Sequence, residues 1–333
     1  MLCEKDAVLN RREILQLSAL AAMIAACLHT ARAQDGYPDH VLKLVVPRPA
    51  GGVVDVIARE WSNTVSTTLG PTYIENMGGG GGIIGAAYVA RAAADGYTLL
   101  FGTTSELVLS PLLGHQSYDP LTSFAPIGII CESIAAIVVN PSVPAVNLGE
   151  LVAYAKANPG RLSYGSAGAG TVSNMAGELF KRLAGLRDVT HVPYRGGNPA
   201  MTDLIAGNIP IMTPMMDQTV IELHRQGQIR ILAVASARRL AAIPEVATAA
   251  EQGYPDLVAR LFVGLFAPTG TPQPVIAKVE AVTQQAMQDA RLRQSFVNAG
   301  FVSVPNPSAS AAETYLSAEI QRWKPLLQQS GLN

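Results

Sequence analysis
Four turns rich in glycine and hydroxyl groups hold most of the residues in this chain that could do chemistry. The first is Pro47–Asp55, in which Gly51 and Gly52 precede Val53, Val54 and Asp55. The second is Gly102-Thr103-Thr104-Ser105. The third runs from Gly165 through Ser166, Gly168 and Gly170 to Thr171, and the fourth from His191 through Tyr194 and Arg195 to Gly197. Turns of this kind offer N–H and O–H donors at strand ends, where ligands of open α/β sheets bind. In the first, the apolar strand Leu44-Val45-Val46 meets the glycines and a helix opens at once. That geometry aims free N–H groups and the positive end of a helix dipole at one point. The chemistry it suits is anion capture without a charged side chain. Each turn alone also reads as an ordinary tight connection. Four of them, two in each of two lobes, point to a shared cleft.

Catalytic constellations are thin. Beyond the first 33 residues the histidines are His40, His115, His191 and His224, and none sits in an H-E-x-x-H or C-x-x-C context. Ser166 lies in Tyr-Gly-Ser-Ala-Gly, which lacks the first glycine of a nucleophile elbow. Asp55 has two readings: a first-turn carboxylate facing the helix dipole, or an acceptor for a ligand's hydroxyl or ammonium. Tyr194 and Arg195 could reach into a cleft, and Arg195 reads equally as a solvated charge. Gly78–Gly82 with Gly85 contains a G-x-G-x-x-G after a strand, and Glu106 follows about 20 residues on, as in a dinucleotide fingerprint. Five consecutive glycines satisfy many such patterns. A nucleotide-dependent or hydrolytic α/β enzyme therefore stays as the alternative, and no cofactor or metal is expected.

The elements that must position these turns alternate between strand and helix, which points to α/β layers. Strands are expected at Leu42–Val46, Thr72–Glu75, Tyr97–Phe101, Ile134–Val139, Leu162–Gly165, Ile209–Met212, Ile229–Ala235 and Leu261–Phe266. Asn147 to Glu150 reads as a capping box before a helix to Ala157, and Ser310 to Glu313 as another before a helix over Ala311–Gln329. Thr271-Pro272 reads as an N-cap followed by proline at the first helical position, and Pro325 should kink or shorten the last helix. Two strands, Ile134–Val139 and Leu261–Phe266, run into proline-rich segments. If the chain leaves one lobe at the first and returns at the second, residues 34–139 with 261–333 form lobe 1 and residues 140–260 an inserted lobe 2. Hinge motion is then expected near 134–142 and 260–267.

The chain has 333 residues, 49% hydrophobic and 15% charged, with a formal net charge of -1. That is enough for two core-bearing lobes, and no basic excess exists to track a nucleic-acid backbone. Residues 1–33 read as an export signal. Arg11-Arg12 precede an uncharged run from Ile14 to Leu28, and Ala31-Arg32-Ala33 offers a small-x-small cleavage site before Gln34. Asn10-Arg11-Arg12-Glu13-Ile14-Leu15 is similar to a twin-arginine signal, and Ile24-Ala25-Ala26-Cys27 reads alternatively as a lipidation box. After cleavage Cys131 is the remaining cysteine, so an intramolecular disulfide is excluded.

The ordered segments VVPRPAGGVVDVIAR, IENMGGGGGIIGA, AADGYTLLFGT, YDPLTSFAPIG, AYAKANPGRLSYGSAGAGT, HVPYRGG and GLFAPTGTP resemble the Bug family, the extracytoplasmic receptors of tripartite tricarboxylate transporters. The resemblance covers residues 36–332. It implies a two-lobe, type II periplasmic binding protein whose lobes, joined by two crossing strands, close like a flytrap on a small organic or amino-acid-like carboxylate. It implies a monomer that serves integral-membrane transporter subunits, and no catalysis; a sensor for a membrane signalling partner is a further alternative. It places Gly51, Gly52, Asp55, Thr103, Thr104, Ser166, Gly170, Thr171 and, more weakly, Tyr194 around the ligand. The chain departs from the family pattern at Val53-Val54, at Arg48, at the five glycines after Met77, and at Thr213-Pro214-Met215-Met216, where an Asp is usual.

Overall fold
The computed structural model describes residues 36–114 and 117–330. The expected export signal, Cys27 and the Ala33–Gln34 junction lie outside them, as does His115. By its internal contacts the chain divides between His40 and Val41. Residues 36–40 form neither helix nor strand, and the elements belong to the second unit.

β1 (Leu42–Val46) is apolar and buried except at Lys43, as suits a strand covered on both faces. After the Gly51-Gly52 turn, α1 (Val53–Leu69) buries Val54, Ile57, Trp61, Val65 and Leu69 along one stripe and stops at Gly70, whose φ is 71°. Each such side chain taken fully from water contributes roughly 1.5–3 kcal/mol. β2 (Thr72–Asn76), α2 (Ile83–Ala90) and β3 (Thr98–Thr103) complete a parallel β2-β1-β3 set. A π-helical turn, Ser105–Leu109, follows, then β4 (Phe124–Ile134) and β5 (Ala136–Val139). α3 (Leu148–Ala157), β6 (Ser163–Ser166), α4 (Val172–Ala184), β7 (Thr190–Pro193), α5 (Gly197–Ile205), β8 (Ile211–Met212), α6 (Gln218–Arg225) and β9 (Arg230–Val234) form the middle of the chain. The return passes through β10 (Arg260–Pro268), α7 (Gln273–Gln288), α8 (Ala290–Asn298), β11 (Phe301–Ser303) and α9 (Ala309–Ser330).

The strands make two mixed sheets. One has the order β11-β4-β10-β3-β1-β2, the other β7-β6-β8-β5-β9. The two-lobe α/β architecture expected from the sequence is present, with two crossings between the sheets. The expected strand Ile134–Val139 is in fact two. β4 ends in the first sheet at Ile134, and β5 begins in the second at Ala136. Ala135 between them donates its N–H to Ala259 O (2.9 Å) and accepts from Ala235 N–H (2.8 Å), while Ala259 N–H donates to Ala235 O (2.9 Å). Three buried alanines thus let three backbone segments meet where the chain changes sheet. The strand pairing puts that change at Ala135 and Ala259, a few residues from the boundary expected at 139/140.

Most of β4 was not expected, because Pro126, Gly128 and Glu132 break its apolar pattern. It is held from both sides by β10 and β11, and Pro126 sits at a register shift opposite Phe266, where a missing ladder donor is tolerated. Asn147 caps α3 as expected, accepting from Glu150 N–H at 2.8 Å. At α9 the capping hydroxyl is Ser308, accepting from Ala311 N–H at 3.2 Å, rather than Ser310. Pro272 stands at the N-cap of α7 rather than inside it. α9 continues through Pro325 without shortening, held by the buried Trp323 and Leu327 on either side.

Candidate ligand-binding cleft
A cavity of about 200 Å3 lies between the two sheets. The first lobe contributes Arg48, Pro49 and the start of α1, Gly52 to Val54. The second contributes the turn before α4, the segment from Arg195 into α5, and the stretch from Met212 to Val220. The lobes are closed on each other at its rim. Val172 N–H donates across it to Ser105 Oγ at 3.4 Å. A Cβ on Gly196 would stand 3.3 Å from Pro49 Cγ, and one on Gly81 3.4 Å from Ala169 O.

Four helices begin at this cavity, and they differ in how their first N–H groups are used. At α4, Thr171 Oγ1 accepts from Asn174 N–H (3.2 Å), and Asn174 Oδ1 accepts from Gly170 N–H (3.1 Å). At α6, Asp217 Oδ1 accepts from Val220 N–H (2.9 Å). α1 and α5 begin at Gly52 and Gly196, and neither has a capping side chain. Their first-turn N–H groups carry partial positive charge, both ends line the same cavity, and Gly196 comes close to Pro49, three residues ahead of Gly52. An anion placed there meets donors from both lobes.

Beside this point lies an ion pair. Arg48 Nη2 donates to Glu106 Oε2 (2.8 Å) and to Thr103 Oγ1 (3.2 Å), and Arg48 Nη1 to Pro47 O (3.0 Å). Glu106 is fully buried. Burial pushes its carboxyl above the usual range, opposed first by the Arg48 charge. The five-glycine run wraps this pair. Gly79 to Gly82 all have positive φ, and a Cβ on Gly82 would fall 2.4 Å from Arg48 Nη1 and 2.7 Å from Glu106 Oε2. The G-x-G-x-x-G pattern is therefore occupied with its own protein's side chains.

Comparison with known proteins agrees with this architecture. The profile of the tripartite tricarboxylate transporter family receptors matches residues 57–332. The chain belongs to that receptor family. BugT of Bordetella pertussis is 31% identical over 325 residues, spanning 95% of this chain and 99% of BugT. MatC (Rpa3494) of Rhodopseudomonas palustris, solved with bound malate, superposes with a TM-score of 0.82 at 30% identity, over 87% of this chain and 100% of MatC. Rpa4515 of R. palustris, solved with adipate, gives 0.84 at 30% identity, over 89% and 98%. The family and these neighbours are substrate-binding receptors, not enzymes, and the fold is that of the two-lobe periplasmic binding proteins.

Within this receptor the residues singled out from sequence occupy different places. Gly52 and Thr171 line the cavity. Gly51, with φ of 75°, gives its N–H to Asp55 Oδ2 (2.9 Å). Asp55 is buried and also receives Arg59 Nε (2.9 Å) and Asn76 Nδ2 (2.9 Å). Burial works against its charge, but these bonds outweigh it and hold its carboxyl below the usual range. Asp55 thus anchors the glycine turn. Thr103 Oγ1 donates to Glu106 Oε2 (2.7 Å), and Thr104 Oγ1 accepts from Phe262 N–H (2.9 Å). Ser166 Oγ bonds His191 Nε2 (2.7 Å) and is buried. Gly170 N–H is taken by Asn174, and Tyr194 OH donates to Asp203 Oδ2 (2.6 Å). Of the two neighbours, Arg195 lines the cavity and Tyr194 does not. Not expected were Met201, Met212, Met215 and Asp217, which also line it. Asp217 had a readable signal, an N-cap aspartate ahead of the α6 pattern.

Proposed function
We propose that this receptor captures a small organic or amino-acid-like carboxylate in the periplasm and presents it, as a monomer, to integral-membrane transporter subunits. The observation that carries the reading is that two uncapped helix N-termini, one from each lobe, line one cavity between the lobes. A carboxylate there ties the lobes together, so binding and closure are one event. Gly52, Val53 and Val54 form the lobe 1 jaw, and Gly196 and Gly197 with Arg195 the lobe 2 jaw. Thr171 and the remaining sequence-derived residues, Gly51, Asp55, Thr103, Thr104, Ser166, Gly170 and Tyr194, shape the turns around them. Lobe 1 comprises residues 41–135 with 260–330 and lobe 2 residues 136–259, with the hinge at the Ala135–Ala235–Ala259 meeting point. Malate in MatC and adipate in Rpa4515 support the ligand class. Export by residues 1–33 supplies the compartment.

The test is a thermal-shift panel of carboxylates on protein purified from the periplasm, with native mass spectrometry to identify any carried ligand and the N-terminus. A ligand at 100-fold its dissociation constant stabilises the chain by about 2.7 kcal/mol. Ligand-free protein that no carboxylate stabilises would overturn the reading.

A further inference from the structure
The wall of the cavity says more about the ligand than its anion seat does, granted the carboxylate reading above. Val53 and Val54 come from one lobe, and Val172, Met201, Met212 and Met215 from the other. Charge on the same wall is largely spent. Arg48 is neutralised by Glu106 at 2.8 Å. Asp217 is committed to Val220 N–H, and burial pushes its carboxyl above the usual range. Arg195, exposed at the mouth, stands next to the bare N-terminus of α5. Favourable sites for negative charge therefore gather where α1 and α5 begin. A second carboxylate, or a chain of hydroxyls, would lie mostly against valine and methionine, with only Asn198, Thr219 and the exposed Arg195 to replace its hydration.

Size narrows the choice. An apolar cavity of about 150 Å3 accepts a benzene ring. The volume here, about 200 Å3, takes such a ring with a carboxylate attached. Methionine sulfurs make favourable contacts with ring edges, and their flexible side chains adapt to an irregular body.

We propose that this receptor selects a monocarboxylate with a compact apolar body of aromatic-ring size over the hydroxy-, amino- and linear dicarboxylates. The carboxylate sits between the first turns of α1 and α5, and the ring lies between Val53-Val54 and the three methionines.

The experiment is isothermal titration of full-length protein exported and processed in cells, then freed of carried ligand, with benzoate, phenylacetate, malate, aspartate and adipate. The two ring acids should bind at least tenfold more tightly than the three diacids, the discrimination a well-fitted apolar pocket gives. Val53→Ser should weaken phenylacetate three- to tenfold and leave malate unchanged or tighter. Val53 is half-buried at the first position of α1, where serine is tolerated. Met215→Gln, also at a half-buried site, provides the same readout from the other wall. Diacids binding as tightly as ring acids, or ratios unmoved in both variants, would overturn the selectivity and leave the carboxylate receptor standing. Failure of all five to bind would overturn the selectivity, and the receptor reading would fall with it only if the carboxylate panel above also failed.

Discussion
Two glycines in the same run carry different loads, and the difference is measurable. Gly82 has φ of 103°, and a Cβ there would strike Arg48 Nη1 at 2.4 Å and Glu106 Oε2 at 2.7 Å. The guanidinium could move, but Glu106 is held by Thr103 Oγ1 and the Thr103 N–H as well as by Arg48. Gly82→Ala should cost roughly 2–4 kcal/mol, from backbone strain and a disturbed buried pair. Gly80 has φ of 57° and nothing nearer than 3.6 Å to a new Cβ, so Gly80→Ala should cost only about 1 kcal/mol. Urea denaturation of both variants checks the contrast. Asp55 gives a second prediction. Its carboxyl is depressed in the folded chain relative to the ordinary 3.8. Its stabilisation is therefore complete above that value and lost as pH falls through the folded one. Asp55→Asn should lower stability by about 1–2 kcal/mol at pH 7. The gap to the parent should close as pH drops below about 4. A gap that stays constant down to pH 2 would show that the Asp55 charge contributes nothing.

At the scale of elements, the contrast between capped and bare helices separates stability from binding. Gly52 has extended backbone, φ -84° and ψ 169°, which any residue adopts, and a Cβ there meets only Pro49 O at 3.4 Å. Gly52→Asp would give α1 a capping carboxylate and a favourable dipole contact, raising stability by a few tenths to about 1 kcal/mol. The same carboxylate would occupy the anion seat and repel a ligand, so affinity should fall at least thirtyfold, about 2 kcal/mol. Denaturation and titration on one sample test the opposite signs; unchanged affinity would remove α1 from the site. The first turn was legible in the sequence because everything that makes it is local: strand, glycines, then an apolar stripe with no capping residue. Its neighbours were legible only in part. A hydroxyl in a turn is readable as a donor, but its direction is not. Thr103, Thr104 and Ser166 spend theirs on Glu106, β10 and His191. Met212 reaches the cavity on the two-residue strand β8, which is fixed by pairing with β5 and β6, Met215 follows just after it, and Met201 comes from α5; no local pattern announces that the three converge. β4 was hidden for the same reason: its burial is supplied by strands more than a hundred residues away in the chain.

Over the whole molecule, the function depends on how weakly the lobes hold each other without a ligand. The proposed hinge rests on backbone bonds among Ala135, Ala235 and Ala259, three small residues with no bulky side chain to repack at the pivot. At the rim of the cavity, closeness comes from glycines that leave room, Gly196 against Pro49 and Gly81 against Ala169, and these add little attraction; the apolar contact between the lobes lies elsewhere, where Trp323 and Leu327 of α9 approach Met175 and Leu179 of α4. The Val172 N–H to Ser105 Oγ bond is long at 3.4 Å, and such a bond contributes about 1 kcal/mol at most. Closure is thus within reach of a small ligand's binding energy, and any group that favours the closed form raises apparent affinity by the fraction it populates. Ser105→Ala removes that one bond and leaves the hinge untouched. Apparent affinity should fall by no more than about fivefold, the equivalent of 1 kcal/mol, with the stability of the ligand-free chain unchanged within about 0.5 kcal/mol. Small-angle scattering should show the ligand-saturated variant as compact as the parent, and the ligand-free variant more open. A loss much beyond tenfold would place the Ser105 hydroxyl on the ligand itself, and no loss at all would mean that the rim bond does not form in solution.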